Sequence, residues 1–351
     1  MGYYGTILKT NDAGNTWTVL NSNTFSDLHA VYFLNAGEGF AAGDSGIFRT
    51  TNGGNSWNQL VIPTSNPLRD IEFIDSHTGF CVGYGGIILK TTNGGNSWII
   101  KPNDNTQPIV DFNSISFPVP DTGYIVGRAM WDFLKTTDGG ETWNVIQIDT
   151  APGNPVTFES VYFTDANTGY IGGWYGPVFI KTTDGGNAWV NKDSLGDAQI
   201  YSIYFPTSAI GYATGWYSTV LKTSDNGNTW STQFTGVPNK TFYSVYFTDN
   251  STGYIVGESG TILKTTNGGT NAINEHSQYN PQIIIYSNPT KSQINFSIET
   301  NVQLASVTGQ IIADRKNVNI LDLSDQQTGI YFLTFTDQNR QVIQRSKVVK
   351  E

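Results

Sequence analysis

The feature that most limits what this chain can fold into is a recurring indole. Trp17, Trp57, Trp98, Trp143, Trp189 and Trp230 are separated by 40, 41, 45, 46 and 41 residues. A period of that size marks a repeat architecture, in which small supersecondary units bury their faces against one another. Each of these tryptophans closes one phrase. It reads Thr50-Thr51-Asn52-Gly53-Gly54-Asn55-Ser56-Trp57 in the second copy and Thr136-Thr137-Asp138-Gly139-Gly140-Glu141-Thr142-Trp143 in the fourth. The first copy is Thr10-Asn11-Asp12-Ala13-Gly14-Asn15-Thr16-Trp17, and a seventh, Thr265-Thr266-Asn267-Gly268-Gly269, has Ala272 in place of the Trp.

The stretch ahead of each phrase is equally regular. A triplet such as Val31-Tyr32-Phe33, Ile71-Glu72-Phe73 or Val245-Tyr246-Phe247 predicts a first strand, A. A turn ending in Gly leads to strand B (Gly79-Phe80-Cys81-Val82-Gly83), and a short glycine-bearing turn leads to strand C (Ile87-Ile88-Leu89-Lys90). The phrase then turns the chain into strand D, expected to begin at the Trp. Four strands of about five residues with their turns fill about 40 residues, which is the length of one propeller blade. No segment has helical periodicity, so the fold class expected is all-β.

The phrase is a hairpin turn by its chemistry. Thr and Asp or Asn side chains hydrogen-bond nearby backbone, glycine admits φ > 0, and the Trp supplies a large apolar surface. It matches the Asp-box pattern of bacterial neuraminidase repeats, with Asp12, Asp138, Asp184 and Asp225 at the acidic position and Asn52, Asn93 and Asn267 replacing it elsewhere. With its Lys-Thr-Thr-Asn/Asp-Gly-Gly-x-x-Trp wording, residues 1–272 resemble the propellers of the photosystem II stability/assembly-factor family and related Asp-box proteins. The resemblance implies a seven-bladed propeller. The first phrase, however, is preceded only by a strand C (Gly5-Thr6-Ile7-Leu8-Lys9), and the last unit lacks a clear strand D. Two arrangements follow: a seven-bladed ring whose first blade is incomplete because the N-terminus is truncated, or a six-bladed closure in which Trp17–Leu20 completes the last blade.

After a linker at 273–282 the period vanishes. Residues 283–351 alternate in short segments, Gln293–Ile298, Val302–Val307, Ile320–Leu323 and Ile330–Phe335, and predict a small Ig-like β-sandwich. Ser287-Asn288-Pro289, Val307-Thr308-Gly309-Gln310, Leu321-Asp322-Leu323-Ser324, Gly329-Ile330-Tyr331-Phe332 and the basic close Lys347-Val348-Val349-Lys350 are similar to the type A C-terminal sorting domain of the type IX secretion system. That resemblance implies a Gram-negative setting, type IX secretion machinery as a partner, and a secreted or cell-surface protein. An export leader is expected upstream, because no charged-then-apolar leader opens the chain.

Composition removes several function classes. The net charge is −10, which argues against nucleic acid as a partner. No apolar run reaches the ~18 residues of a membrane helix, so no transmembrane segment is expected. Cys81 is the single cysteine and His29, His77 and His276 are scattered, so neither a metal site nor a cofactor is expected.

Site residues are sought at one end of the ring. A meandering blade puts the Asp boxes and A–B turns on one face, and the B–C turns and D–A crossovers on the other, where the channel opens. The acidic and Trp positions of the boxes (Asp12, Trp17, Asn52, Trp57, Asn93, Trp98, Asp138, Trp143, Asp184, Trp189, Asp225, Trp230, Asn267) are therefore read as structural, as are the strand C cations from Lys9 to Lys264. The other tryptophans, Trp131, Trp174 and Trp216, fall in B–C turns with Tyr175, Tyr217, Tyr84, Tyr3 and Tyr4. Aromatic rings on loops of a rigid scaffold suit recognition of sugar faces or peptide side chains. His29, Arg69, Asp70, Asn113, Glu159, Tyr201 and Tyr243, at the start of strand A, are expected to look into the channel mouth. The candidate ligand-binding set is Trp131, Trp174, Tyr175, Trp216, Tyr217, Tyr84, Arg69, Asp70 and Glu159, with no catalytic residue. The function expected is that of an exported, non-catalytic propeller binding a protein or glycan. The alternative is a glycoside hydrolase pairing Asp70 with Glu159, since sialidases and xyloglucanases also carry Asp boxes.

Overall fold

Every repeat turns on the same hydrogen bonds. In the computed structural model, Thr50 Oγ1 accepts the Gly54 N–H at 2.8 Å, and Asn52 Oδ1 accepts the Ser56 N–H at 2.9 Å. The two glycines have different duties. Gly53 and Gly54 both adopt positive φ (68° and 83°). In blade 2 a side chain at the second position would also collide with the preceding blade, because a Cβ on Gly95 would lie 2.5 Å from the Phe40 ring. The box also ties back to its own blade, as Gly53 N–H donates to Gly37 O and Gly139 N–H to Asp121 O in the A–B turns.

The structure describes residues 2–102, 111–129, 132–148, 156–174, 179–192, 199–269, 285–286, 289–336 and 342–351. The chain divides into two units, residues 1–279 and 280–351.

The first unit is a β-propeller of antiparallel meanders. Blade 1 comprises Leu28–Phe33, Gly39–Gly43, Gly46–Thr50 and Asn58–Gln59, and blade 2 comprises Leu68–Phe73, Gly79–Gly83, Ile87–Thr91 and Ile99–Ile100. Blades 3, 4 and 5 begin with strands A at Asp111–Val119, Val156–Phe163 and Ile200–Tyr204 and repeat the order. Blade 6 has Phe242–Phe247, Gly253–Gly257 and Ile262–Thr265, with no strand D among the described residues. Strand D starts one residue beyond the Trp, at Asn58 or Ile99 for example, rather than at it. The indole itself is occupied in the core: Trp98 meets Phe73 of its own blade and Phe40 of the preceding one edge-on, at 5.8 and 6.4 Å.

Two N-terminal strands, β1 (Ile7–Lys9) and β2 (Thr18–Leu20), pair with each other. Thr18–Leu20 therefore does not complete blade 6. On one side the Tyr254 hydroxyl of blade 6 donates to Ala13 O at 2.8 Å, as Tyr212 does to Gly268 O between blades 5 and 6. On the other side Lys9 Nζ donates to Asn55 Oδ1 of blade 1 at 3.0 Å. The hairpin thus fills strands C and D of a seventh position between blades 6 and 1.

The second unit is an antiparallel sheet of Ile285–Tyr286, Gln293–Ser306, Ile311–Asp322, Gly329–Thr336 and Val342–Lys350. Gln293–Ser306 runs through two of the segments expected to be separate. It pairs Ile285–Tyr286 through its first half and Gly329–Thr336 through its second, with register shifts between Asn295 and Val302 against Ile311–Asp322. Its core is built from Ile294, Phe296, Leu304, Leu321, Leu333 and Phe335, all buried.

Candidate functional site at the channel mouth

Each strand A carries a β-bulge at the same place. The register against strand B jumps between Leu28 and Ala30, Leu68 and Asp70, Phe112 and Ser114, Phe158 and Ser160, Ile200 and Ser202, and Phe242 and Ser244. The extra residues are His29, Arg69, Asn113, Glu159, Tyr201 and Tyr243. A bulge re-aims its extra side chain, and here all six line one cavity of 620 Å³, joined by Tyr3, Asp27, Asp44 and Tyr84. The bulge draws strand A backbone against the last residue of strand B. A Cβ on Gly83 would lie 2.1 Å from Pro67 O, so glycine is required there.

Charge in the cavity is arranged as a relay. His29 Nε2 lies 2.8 Å from Asp44 Oδ1, and Arg69 Nη1 lies 3.1 Å from His29 Nδ1. Arg69 Nη1 is also 3.2 Å from His29 Nε2, so the guanidinium lies against both ring nitrogens. The Arg69 guanidinium also sits 4.8 Å above the Tyr84 ring. Glu159 accepts the Trp174 indole N–H at 2.7 Å. Burial raises the Glu159 carboxyl above its ordinary range, against the lowering effect of the Trp174 bond and the Arg69 charge. Tyr201 and Tyr243 meet edge-on at 5.9 Å, and burial and then the nearby Glu159 raise the Tyr201 phenol. Asn113 is anchored, its Nδ2 donating to Phe158 O at 3.0 Å. The surface is thus two acidic groups (Asp27, Asp44), one burial-raised carboxyl, one cation already braced by partners, and four phenols.

Of the nine candidate ligand-binding residues, the cavity gathers Arg69, Tyr84 and Glu159. Trp174 stands behind Glu159 as its donor. Trp216 and Tyr217 are solvent-exposed and meet at a tilt, their ring centroids 5.4 Å apart, away from the cavity lining. Trp131 and Tyr175 lie outside the described residues. Asp70 requires a correction. It follows the bulge rather than forming it, so its carboxylate turns into the junction between blades and accepts the N–H groups of Ile71 and Ile115 at 2.8 and 2.9 Å. It is absent from the mouth lining, and its pairing with Glu159 across the mouth is not formed. Asp27 and Asp44, which sequence reasoning missed, lie on the D–A and B–C loops. Their signal was the terminal glycine of each strand B, which marks where the bulge and its loops converge.

The Asp-box side chains lie in their turns. Thr142 N–H and Oγ1–H both donate to Asp138, at 2.9 and 2.6 Å, and these bonds hold its carboxyl down at about 2; Asp12 and Asp225 are held there likewise. Asp184 makes the same turn with Ala188 N–H, and Asn93 with Ser97 N–H. Asn267 accepts from Thr265 Oγ1. Trp57, Trp143 and Trp230 are buried, and Trp17 and Trp189 are half-buried. The strand C cations have a definite duty. Lys90 lies 5.3 Å over the Phe80 ring of its own blade and donates to Gly139 O and Glu141 of the next box at 2.6 and 2.7 Å. Lys135, Lys181 and Lys222 make the equivalent bridges. Lys9 and Arg49 reach Asn55 and Asn96 in the same way.

Comparison with known proteins bears on this geometry. The family model described as photosynthesis system II assembly factor YCF48 matches residues 49–162 and 195–284, and that of a secretion system C-terminal sorting domain matches 284–351. No curated protein matches by sequence. Among solved structures the chain is similar to YCF48 bound to D1 peptide, at 16% identity and a TM-score of 0.59 over 84% of this chain and 94% of that one. It is also similar to the GH74 enzyme of Niastella koreensis, at 15% identity and a TM-score of 0.64 over 99% of this chain and 70% of that one. A third is PorZ, a surface component of the type IX secretion system of Porphyromonas gingivalis, at 12% identity and a TM-score of 0.58 over 100% of this chain and 56% of that one. At these identities the likeness is one of fold.

Proposed function

The chain belongs to the photosynthesis system II assembly factor YCF48 family, and we propose that it is a non-catalytic binding propeller that holds a peptide segment of a protein partner at its channel mouth. Its type IX sorting domain marks it for export to the cell surface or beyond. The photosystem of its relatives is not carried over with the fold. One observation carries the reading: the scaffold repeats while the bulged residue varies. Six blades place His, Arg, Asn, Glu, Tyr and Tyr at one geometrical position around one cavity. A mouth with donors, acceptors and flat rings suits an extended chain, whose backbone needs partners and whose side chains need surfaces. A relative with the same fold is bound to a peptide.

Peptide and glycan arrays probed with the purified protein test this. The expectation is retention of a peptide class that is lost in Arg69→Ala and Glu159→Gln without a lower melting temperature. Retention of glycans alone would replace the peptide reading.

A second reading is glycoside hydrolysis, favoured by the burial-raised Glu159 carboxyl and by the GH74 likeness. Since Asp70 is committed to the blade junction, the partner carboxylate would be Asp27 or Asp44. Release of reducing ends from a polysaccharide panel, abolished by Glu159→Gln, would decide for it.

A further inference from the structure

The middle residue of the strand A triplet runs along the channel wall toward the next blade. Tyr32, Tyr162 and Tyr204 donate their hydroxyls to the carbonyls of Phe73, Phe205 and Phe247, at 2.9, 3.1 and 3.1 Å. Glu72 and Ser116 hold the same place in blades 2 and 3 and accept the N–H groups of Phe117 and Phe163, at 3.0 and 3.3 Å. Tyr162 meets Tyr204 edge-on at 5.7 Å, and Tyr204 meets Tyr246 at a tilt at 4.9 Å. Below the mouth, then, lies a belt of phenols interrupted by one carboxylate and one small hydroxyl. Glu72 is three residues beyond Arg69 along strand A, about 10 Å deeper at the rise of a strand.

The belt favours one sign of charge. The three anchored phenols give their protons to wall carbonyls, so they turn ring face and oxygen lone pair to the channel. Glu72 places Oε2 on the Phe117 N–H, while Oε1 has no hydrogen-bond partner among the described residues and is not buried. Ser116 stands between Glu72 and Tyr162 and leaves the space beside that oxygen unfilled by a ring. Burial raises the phenols of Tyr32 in blade 1 and Tyr162 in blade 4, and the Glu72 charge raises both further. Blade 4 is two positions from blade 2, so that influence spans the gap at Ser116. One free carboxylate oxygen supplies too few ligands for a divalent metal, since Asp70 beside it is committed to the blade junction.

We infer that this belt is a cation site that takes an alkylammonium group, the ammonium pairing with Glu72 Oε1 and the alkyl stem lying against the rings of Tyr32 and Tyr162. Rings beside a carboxylate hold such a group by cation–π attraction and a charge-assisted hydrogen bond. Its source is a lysine side chain of a peptide at the mouth or a free amine, and the site itself does not depend on what the mouth holds.

The test is a titration of the full chain with n-butylammonium chloride, with sodium chloride and n-butanol as controls, followed by NMR at the Glu72 carboxyl carbon and the Tyr32 and Tyr162 rings. Saturable shifts are expected with the amine and with neither control. Around Glu72 the titratable groups are Asp70 on its own strand, Cys81 on strand B behind it, Tyr32 on blade 1 and Tyr162 across the gap. The thiol and both phenols are raised and keep their protons up to pH 9, and Asp70 faces the junction. The Glu72 carboxyl titrates at about 8, and a cation selects its ionised form, so affinity is expected to rise roughly tenfold or more from pH 6 to pH 9. Glu72→Gln keeps the acceptor for Phe117 and is expected to bind roughly tenfold more weakly at pH 9, with no pH dependence. Tyr162→Leu keeps apolar bulk and is expected to weaken binding roughly threefold or more. Displacement of the amine by acetyl-Gly-Lys-Gly-amide identifies a lysine side chain as the source, and amine binding without displacement identifies a free amine. No saturable shift, an equal response to n-butanol, or undiminished affinity in Glu72→Gln overturns the proposal.

Discussion

The carboxylate of Asp70 reaches from blade 2 to blade 3 and accepts the Ile115 N–H at 2.9 Å. Glu72, two residues on, does the same for the Phe117 N–H at 3.0 Å. At the next three junctions Ser114, Ser116, Ser160 and Ser202 do this work. Strand A is the inner edge of its sheet, and these side chains satisfy N–H groups that no strand pairs. Blades 2 and 3 are joined by two acids where neutral hydroxyls suffice elsewhere, and this gives the ring a pH-sensitive seam.

Glu72 is half-buried on the channel wall, and desolvation, then the charge of Asp70, pushes its carboxyl up to about 8. Burial raises Asp70 also. A folded-state value above the unfolded one means that the native state holds the proton more tightly, so stability falls as pH rises from about 4.5 to about 8 and levels beyond. Glu72→Gln keeps an acceptor for Phe117 and removes the titration. Its melting temperature, followed from pH 4 to pH 9, is expected to lose much of the decline that the wild type shows. An unchanged slope would place the titrating group elsewhere.

Ala13 occupies the place of the first box glycine and is held at φ 55°. A Cβ in the left-handed region costs about 1–2 kcal/mol, part of which glycine gives back as unfolded-state entropy. Ala13→Gly is therefore expected to stabilise the N-terminal hairpin by about 0.5–1 kcal/mol, read as slower exchange of the β1 and β2 amides. Gly53→Ala should move blade 1 in the opposite direction.

The ring and its two faces were legible because they depend on residues that recur: the indole, the paired glycines, the strand C cation. The mouth was legible in part for the same reason. His29, Arg69, Asn113, Glu159, Tyr201 and Tyr243 stand at one repeat position, so a count from Phe33 and its equivalents finds them. Asp70 was misplaced by a single residue, since a bulge reverses the facing of whatever follows it. Alternation alone carries no mark of that reversal. Trp216 was grouped with Trp174 because both sit in B–C turns, yet only Trp174 has a bulged carboxylate beneath it. The hairpin's place as a seventh position rested on contacts 241 residues apart in sequence, Tyr254 with Ala13, which no local pattern encodes.

The two classes of tryptophan are expected to separate by their response to truncation. Trp57 is buried against Phe33 and donates its indole N–H to Gly54 O at 3.0 Å. Trp57→Ala leaves a cavity between packed blades and is expected to cost about 3–5 kcal/mol. Trp216 is 49% exposed, and Trp216→Ala should change stability by no more than about 0.5 kcal/mol. Chemical denaturation of both variants checks the contrast. A large loss in Trp216→Ala would make its ring a structural cap.

Glu159 offers the sharpest test of the mouth. Three influences act on its carboxyl: burial raises it, while the Trp174 indole N–H and the Arg69 charge lower it. Trp174→Phe keeps an aromatic ring and removes the donor, so the raising influence meets less opposition and the Glu159 titration is expected to move further up. Arg69→Gln should move it up as well, and also free His29 and Tyr84 from the guanidinium that braces them. Each shift can be followed at the Glu159 carboxyl carbon by NMR. For folding, a carboxyl raised further holds its proton to a higher pH, so the stability lost as pH rises past the ordinary carboxylate range extends further upward in both variants. Peptide binding supplies the independent readout. If the mouth is the site, both variants lose affinity, and Trp174→Phe loses less at low pH, where Glu159 is protonated and the absent N–H matters least. Equal losses at every pH would mean that Trp174 serves the ligand through its ring rather than through Glu159.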